Sequence, residues 1–318
     1  MSTSGQDAAA LAVESRLPGF DGATGWLNSD PLTAADLRGQ VVLVDFWTLT
    51  CINWLRTLGY VRAWSERYAD RGLVVVGVHT PEFPFEGDLE NVRRAVTSLG
   101  VPYPVAIDSE YAVWRAFANH YWPAVYIADV EGRIRFHHFG EGAYGECERV
   151  IQRLLEEGGQ SAPTGDLVSI SPGGVEAQAD WNNLESPETY LGSEQGRNLA
   201  DSSDALPRNH WALEGDWTIE PRASVLNRPD GRIAFRFHAR DVNLVMRSRE
   251  GTRVPFSVLL DGNAPGAAAG VDVDNEGNGV LDEPRLYQLI REGGDIVDRT
   301  FEIGFDAPGV EAYVFTFG

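Results

Sequence analysis

The residue best suited to chemistry in this chain is Cys51, which ends the stretch Leu43-Val44-Asp45-Phe46-Trp47-Thr48-Leu49-Thr50-Cys51-Ile52-Asn53-Trp54. The apolar, β-branched and aromatic run at 41–47 predicts a strand covered on both faces, and Leu55, Leu58, Val61 and Trp64 follow at helical spacing. Cys51 therefore falls at a strand-to-helix corner. The exposed amides of a helix start favour negative charge, which brings a thiol there down from about 8.5 toward the range of roughly 3.5 to 7.5 of activated cysteines. The competing reading is a buried, inert cysteine, since unbridged cysteines are among the most buried residue types. An activated thiolate at this corner is a nucleophile for disulfides.

The same stretch resembles a thioredoxin active site in which Trp54 stands where the second cysteine lies. Asp45, six positions before Cys51, matches the buried carboxylate of that family, Trp47 its active-site tryptophan, and Trp122-Pro123 its cis-proline loop. Phe46-Trp47-Thr48, the Cys51-Ile52-Asn53 run, Gly77-Val78-His79-Thr80-Pro81-Glu82 and Phe139-Gly140-Glu141-Gly142 resemble more narrowly the TlpA-type redoxins of the cytochrome c biogenesis, DipZ kind. The likeness covers residues 17–157 and implies an α/β thioredoxin-like sandwich. It also implies thiol-disulfide oxidoreductase chemistry with Cys51 as nucleophile and Asp45 assisting proton transfer. Trp47, Thr48, Asn53, Trp54, Trp122 and Pro123 would then form the groove for a protein disulfide or a low-molecular-weight thiol.

A dithiol enzyme releases its partner by attack of the second thiol on the mixed disulfide, and Trp54 removes that step. What remains is a monothiol site that relies on an external thiol or on Cys147, the chain's only other cysteine. Cys147 is a candidate resolving thiol or an ordinary first-turn helical residue; a bridge to Cys51 needs Cα atoms within about 7 Å. His120, three residues before Pro123, is expected in the loop facing Cys51. There it either stabilises the thiolate or acts as a base, or it is simply a surface histidine. Thr48-Leu49-Thr50-Cys51 also fits the Thr-x-x-Cys of peroxiredoxins, which makes peroxide reduction an alternative activity. The third reading is a redox-silent binding or scaffold protein that keeps the groove without the chemistry.

Composition bounds the partners. Twenty-six basic residues, every one arginine, against 47 acidic ones give a net charge of −21, which argues against nucleic acid or an anionic membrane. No run approaches the about 18 apolar residues of a spanning helix, and Met1 to Leu17 carries neither a basic region nor a sustained apolar stretch. Two cysteines make no disulfide framework, so the expectation is a cytoplasmic protein.

The 318 residues suggest two domains. We read an N-terminal tail at 1–16, the thioredoxin-like domain at 17–157 and a Gly, Ser, Pro and acid-rich linker at 158–185. An all-β, jelly-roll-like domain follows at 186–318. In the first domain, strands at 73–78, 126–128 and 133–139, an extended segment at 101–107 and helices at 89–99, 112–118 and 146–155 are expected. In the second, the half-buried alternation of Phe235-Arg236-Phe237-His238 is typical of a sandwich strand. Ser186-Pro187-Glu188-Thr189-Tyr190-Leu191-Gly192 and Pro308-Gly309-Val310-Glu311-Ala312-Tyr313 resemble the carbohydrate-binding-module-like domain that follows the redoxin part of DipZ-type proteins. That resemblance makes Trp211, Trp217 and Tyr287 candidate platforms for a saccharide, against the ordinary reading of aromatics as sandwich core. Residues 272–283 carry oxygen donors near calcium-loop spacing without a preceding helix, so calcium competes with a solvated acidic turn. His137 and His138, adjacent on a strand, point to opposite faces and predict no zinc site. No other metal or cofactor is expected.

Overall fold

The computed structural model describes residues 11–160 and 165–318. Residues 1–10, which make up most of the expected tail, and 161–164 of the expected linker lie outside the described residues. The chain forms two compact units that divide between Ser171 and Pro172.

The first unit runs β1 (Ser15–Arg16), β2 (Gly25–Leu27), β3 (Val41–Trp47), α1 (Ile52–Tyr68), β4 (Leu73–His79), α2 (Leu89–Ser98), β5 (Val105–Ile107), α3 (Ala112–Ala116), β6 (Ala124–Ala128), β7 (Arg133–Phe139) and α4 (Tyr144–Glu157). Its seven strands form one sheet in the order β1-β7-β6-β3-β4-β5-β2. Two right-of-centre pairings, β3 with β4 and β4 with β5, are parallel, and the β6–β7 hairpin closes the sheet antiparallel to β3. This is the thioredoxin-type arrangement: parallel crossovers first, a terminal hairpin last. Strand β3 is buried along its whole length because helices cover both faces.

The period of two along β3 divides its side chains between two environments. Val42, Val44 and Phe46 join a core with Val76, Val78, Phe117 and Tyr126. Asp45 and Trp47 therefore point the other way, where Trp47 stacks on Trp54 of α1 at 4.1 Å. Helix α1 buries Trp54, Leu55, Leu58, Val61 and Trp64, the stripe that its 3.6-residue period aligns. Buried Glu148 of α4 ties this layer together by accepting from Trp64 Nε1 (3.2 Å), Tyr68 Oη (2.6 Å) and the Val168 amide (2.7 Å). The segment after α4 thus begins as a strap on the first unit.

The second unit contains β8 (Thr189–Tyr190), β9 (Trp211–Glu214), β10 (Trp217–Ile219), β11 (Ser224–Leu226), β12 (Gly231–Phe237), β13 (Asp241–Ser248), β14 (Val254–Leu260), β15 (Asn278–Leu281), β16 (Arg285–Arg291), β17 (Arg299–Phe305) and β18 (Val310–Phe317). One sheet runs β10-β11-β18-β13-β16 with β8 added beside β18, the other β15-β14-β17-β12-β9. All their strand pairings are antiparallel. Phe235, Phe301 and Phe305 of one sheet meet Leu244, Tyr287, Phe315 and Phe317 of the other in a single core.

That core corrects two of the three expected saccharide platforms. Trp211 is 1% exposed and Tyr287 0%, so neither offers a ring face to a sugar. Trp217 packs edge-on against Phe305 and donates its indole N–H to Glu214 O. In the acidic segment, Asp272 pairs with Arg285 at 2.8 Å and Asp274 accepts from the Asn278 amide at 2.7 Å. Asp272 is thus engaged by strand β16 and Asp274 by its own loop. No group of three or more His, Cys, Asp or Glu side chains placed to hold a metal occurs among the described residues. His137 faces Glu14, and His138 faces the Glu141 carbonyl.

Candidate active site at the Cys51 corner

Chain direction alone puts Cys51 where β3 hands over to α1. Cys51 is the N-cap of the helix, in extended conformation (φ −72°, ψ 110°). Its amide donates to Thr48 O (3.2 Å), and its carbonyl accepts the first helical bond from Leu55 N (3.0 Å). The side chain is half-buried, and no acidic residue occupies the first turn of α1. Both cysteines are thiols in this structure. The thiol is thus carried by the N-cap residue of a helix, a position whose dipole favours a thiolate.

Trp54, three residues on, is wholly buried. Its indole lies flat on Trp47, an arrangement worth about 0.5–1.5 kcal/mol beyond area burial. Its Nε1–H donates to Asp45 Oδ2 at 2.9 Å, and Tyr103 Oη donates to the same oxygen at 3.3 Å. Burial dominates Asp45 and raises its carboxyl from 3.8 to about 7, although both hydrogen bonds pull the other way. The Trp54 indole thus both stacks on Trp47 and engages the buried carboxyl. Gly77, opposite Asp45 in the β3–β4 register, makes room for this cluster: a Cβ there would lie 2.9 Å from Trp47 Nε1 and 3.1 Å from the Tyr103 ring.

The cis-proline loop is present. The Trp122–Pro123 peptide is cis, and Pro123 O accepts from the Gly140 amide at 2.8 Å. Trp122 is half-buried and stacks at a tilt on Trp114 (4.3 Å), while Tyr121 beside it is 53% exposed. His120 is exposed on this loop. Thr48 is buried at the end of β3, and Asn53 is half-buried in the first turn of α1, its carbonyl accepting from Thr57 Oγ1.

Cys147 stands differently. It lies in the first turn of α4, is 2% exposed, and burial followed by the nearby Glu146 charge pushes its thiol up to about 12. Such a group is almost wholly protonated at neutral pH and is no ready partner for Cys51.

Three buried polar residues carry roles that the sequence reading did not assign. His79 pairs with Trp47 in the sheet register and packs edge-on against its ring at 4.7 Å. Burial pushes its imidazole down to about 3, so it is neutral. Neither ring nitrogen has a hydrogen-bond partner among the described residues. Glu86, also wholly buried, accepts from Thr50 N (3.1 Å) and Thr50 Oγ1 (2.7 Å) through one oxygen. Its other oxygen accepts from Glu82 N (2.7 Å) and Phe83 N (2.8 Å). Glu141 forms a buried ion pair with Arg56 of α1 at 3.0 Å, which joins the helix to the turn after β7. The sequence signals were that His79 and Glu141 sit inside motif-like runs and that Glu86 directly follows Phe83-Pro84-Phe85.

Residues 12–146 match the redoxin family, and residues 186–318 match the family described as thioredoxin-like C-terminal domain. Over all of this chain, protein DipZ of Mycobacterium bovis is 31% identical across 333 aligned positions, which make up 45% of DipZ. The chain thus spans just under half the length of that relative. The thiol-disulfide oxidoreductase YkuV of Bacillus subtilis is 29% identical over 148 residues, covering 46% of this chain and 99% of YkuV. A thioredoxin-like protein solved in solution in its oxidized form is 28% identical, with a TM-score of 0.42, over 45% of this chain and 96% of its own. Residues 12–146 are thus similar to the redoxin family and residues 186–318 to the thioredoxin-like C-terminal domain, and the chain as a whole is similar to DipZ and its first part to YkuV.

Proposed function

We propose that the N-terminal domain is a monothiol thiol-disulfide oxidoreductase acting through Cys51. The observation that carries this reading is the pairing of a half-buried thiol at the start of α1 with a wholly buried tryptophan at the position of a second thiol. Homologues named thiol-disulfide oxidoreductase support the class of chemistry. The Cys51 thiolate attacks one sulfur of a protein or low-molecular-weight disulfide, forms a mixed disulfide, and expels the other sulfur as thiolate. An external thiolate then attacks the Cys51 sulfur of the mixed disulfide, releases the bound half as a second thiolate and takes its place; a second external thiolate attacks that new mixed disulfide, departs as the external disulfide and returns Cys51 as thiolate, so two electrons pass from the two external thiols to the substrate disulfide over the cycle. Of the expected groove residues, Asn53 and Trp122 are half-buried and left to meet a partner, whereas Trp47, Thr48 and Trp54 are wholly buried and Pro123 is buried, so these pack within the fold instead of lining a groove. Asp45 is held by Trp54 and Tyr103 rather than presented to solvent, so its contribution is to the groove's architecture more than to proton delivery.

The reading is tested by incubating the full chain with glutathione disulfide and following intact mass and peptide masses. A glutathione adduct confined to Cys51, persistent until a second thiol is added, is expected. An internal Cys51–Cys147 bridge would overturn the monothiol reading. No adduct at all would leave a redox-silent binding fold, and rapid oxidation of Cys51 by peroxide without disulfide exchange would favour peroxide reduction.

A further inference from the structure

We propose that Glu86 is a positioning residue for the Cys51 nucleophile: it clamps Thr50, the residue before the thiol, to the loop that follows β4. The inference rests on the thiol reading above and adds a residue to it. Glu86 lies in a single 3₁₀ turn, Pro84–Gly87, remote in sequence from the corner that it holds. One carboxylate oxygen takes both donors of Thr50, and the other takes two successive amides, Glu82 N and Phe83 N. Four hydrogen bonds on one carboxylate, at 0% exposure, constrain both segments at once.

No side-chain cap closes α1, and the Cys51 amide donates to Thr48 O within the corner. Thr50 is therefore the hinge between β3 and the helix amides that favour the thiolate, and Glu86 fixes it. Side-chain clamps of this type matter because a thiol gains from a helix start only while the first turn stays formed; the effect fades within one turn. A buried charge-assisted bond is also stronger than a neutral one. Burial raises Glu86, while the hydrogen bonds from Phe83 N, the Thr50 hydroxyl and Glu82 N oppose that rise, so the clamp is itself coupled to the hydrogen bonds that it makes.

Four variants separate this role from a plain structural one. Thr50→Val removes one donor and leaves the carboxylate; Thr50→Ser keeps both donors; Glu86→Gln keeps the shape but turns one acceptor oxygen into an NH₂ donor that faces other donors. Glu86→Asp keeps the charge and shortens the reach. The readout is the pH profile of alkylation at Cys51 by a neutral alkylating reagent, with Cys147 mapped in the same digest. The expected result is a Cys51 rate at pH 7 lowered at least threefold in Thr50→Val and Glu86→Gln, with the midpoint moved to higher pH. Thr50→Ser should match the wild type, and Cys147 should stay protected throughout.

If the carboxylate acted only as a nearby negative charge, Glu86→Gln would move the midpoint down and Thr50→Val would leave it in place; that pattern overturns the proposal. Unchanged profiles in both variants overturn it as well. Should Glu86→Gln expose Cys147 by unfolding, the milder Thr50→Val and Thr50→Ser pair decides alone. A wild type with an unreactive Cys51 is a separate failure, that of the thiol reading itself.

Discussion

Replacing Asp45 by asparagine removes a titration that the folded domain opposes. In the fold Asp45 is wholly buried and its carboxyl rises from 3.8 to about 7. Between those values the unfolded chain has released the proton and the folded one still holds it. The folded state then binds more protons, so stability from this group is complete below about pH 4 and is lost as pH rises toward 7. A rise of about three units at 1.36 kcal/mol each corresponds to at most about 4 kcal/mol. Asparagine is neutral at every pH, matches protonated aspartate in shape, and can still accept from Trp54 Nε1. Asp45→Asn should therefore equal the wild type in stability near pH 4 and exceed it by several kcal/mol at pH 8, with the difference growing between pH 4 and 7. Because all other titrating groups are shared, they cancel in the difference. Hydrogen exchange of the β3 and α1 amides, followed by peptide mass in the full chain, reads this domain alone. A stability difference that does not change with pH would refute the placement of an unionised carboxyl beneath Trp54.

Three further outcomes follow from the same geometry. Trp54→Cys restores a two-thiol spacing but deletes a buried indole, so it should cost roughly 3–5 kcal/mol in unfolding experiments while allowing glutathione disulfide to convert the site to an internal bridge instead of a lasting adduct. Arg56→Met leaves Glu141, whose side chain is 6% exposed, without its cation; thermal unfolding of the first unit should report a loss of about 3–5 kcal/mol. Cys147, with its thiol near 12, should alkylate at pH 8 more than about a thousandfold slower than an ordinary thiol near 8.5, and its replacement by serine should leave the Cys51 profile unchanged.

Much of the first unit was legible because long periodic segments announce themselves. The run 41–47 and the helical stripe from Leu55 to Trp64 stand in the structure as β3 and α1, and β7 has the predicted bounds. Strands of two or three residues, such as β1, β2 and β11, carry no detectable period. They exist because a neighbouring strand offers partners. Helix α4 begins at Tyr144, two residues before the expected start. Cys147, Val150, Ile151 and Leu154 then share its buried face, a spacing that the sequence did contain. The roles of Glu86 and Trp54 were less accessible: one bridges segments 36 residues apart, and the other fills a space that only the folded sheet defines. In the second unit the alternating strands were readable, but alternation cannot say which aromatic faces inward, and Trp211 and Tyr287 face the core.

The central claim is that Cys51 is an activated, unaccompanied nucleophile. The most direct measurement is its alkylation rate as a function of pH, with Cys51 and Cys147 separated by peptide mass in the folded 318-residue chain. The account predicts a Cys51 rate that reaches its plateau below the about 8.5 of an ordinary thiol, with Cys147 silent over the same range. A Cys51 that stays unreactive in the folded protein, or that titrates no earlier than an ordinary thiol, would contradict it.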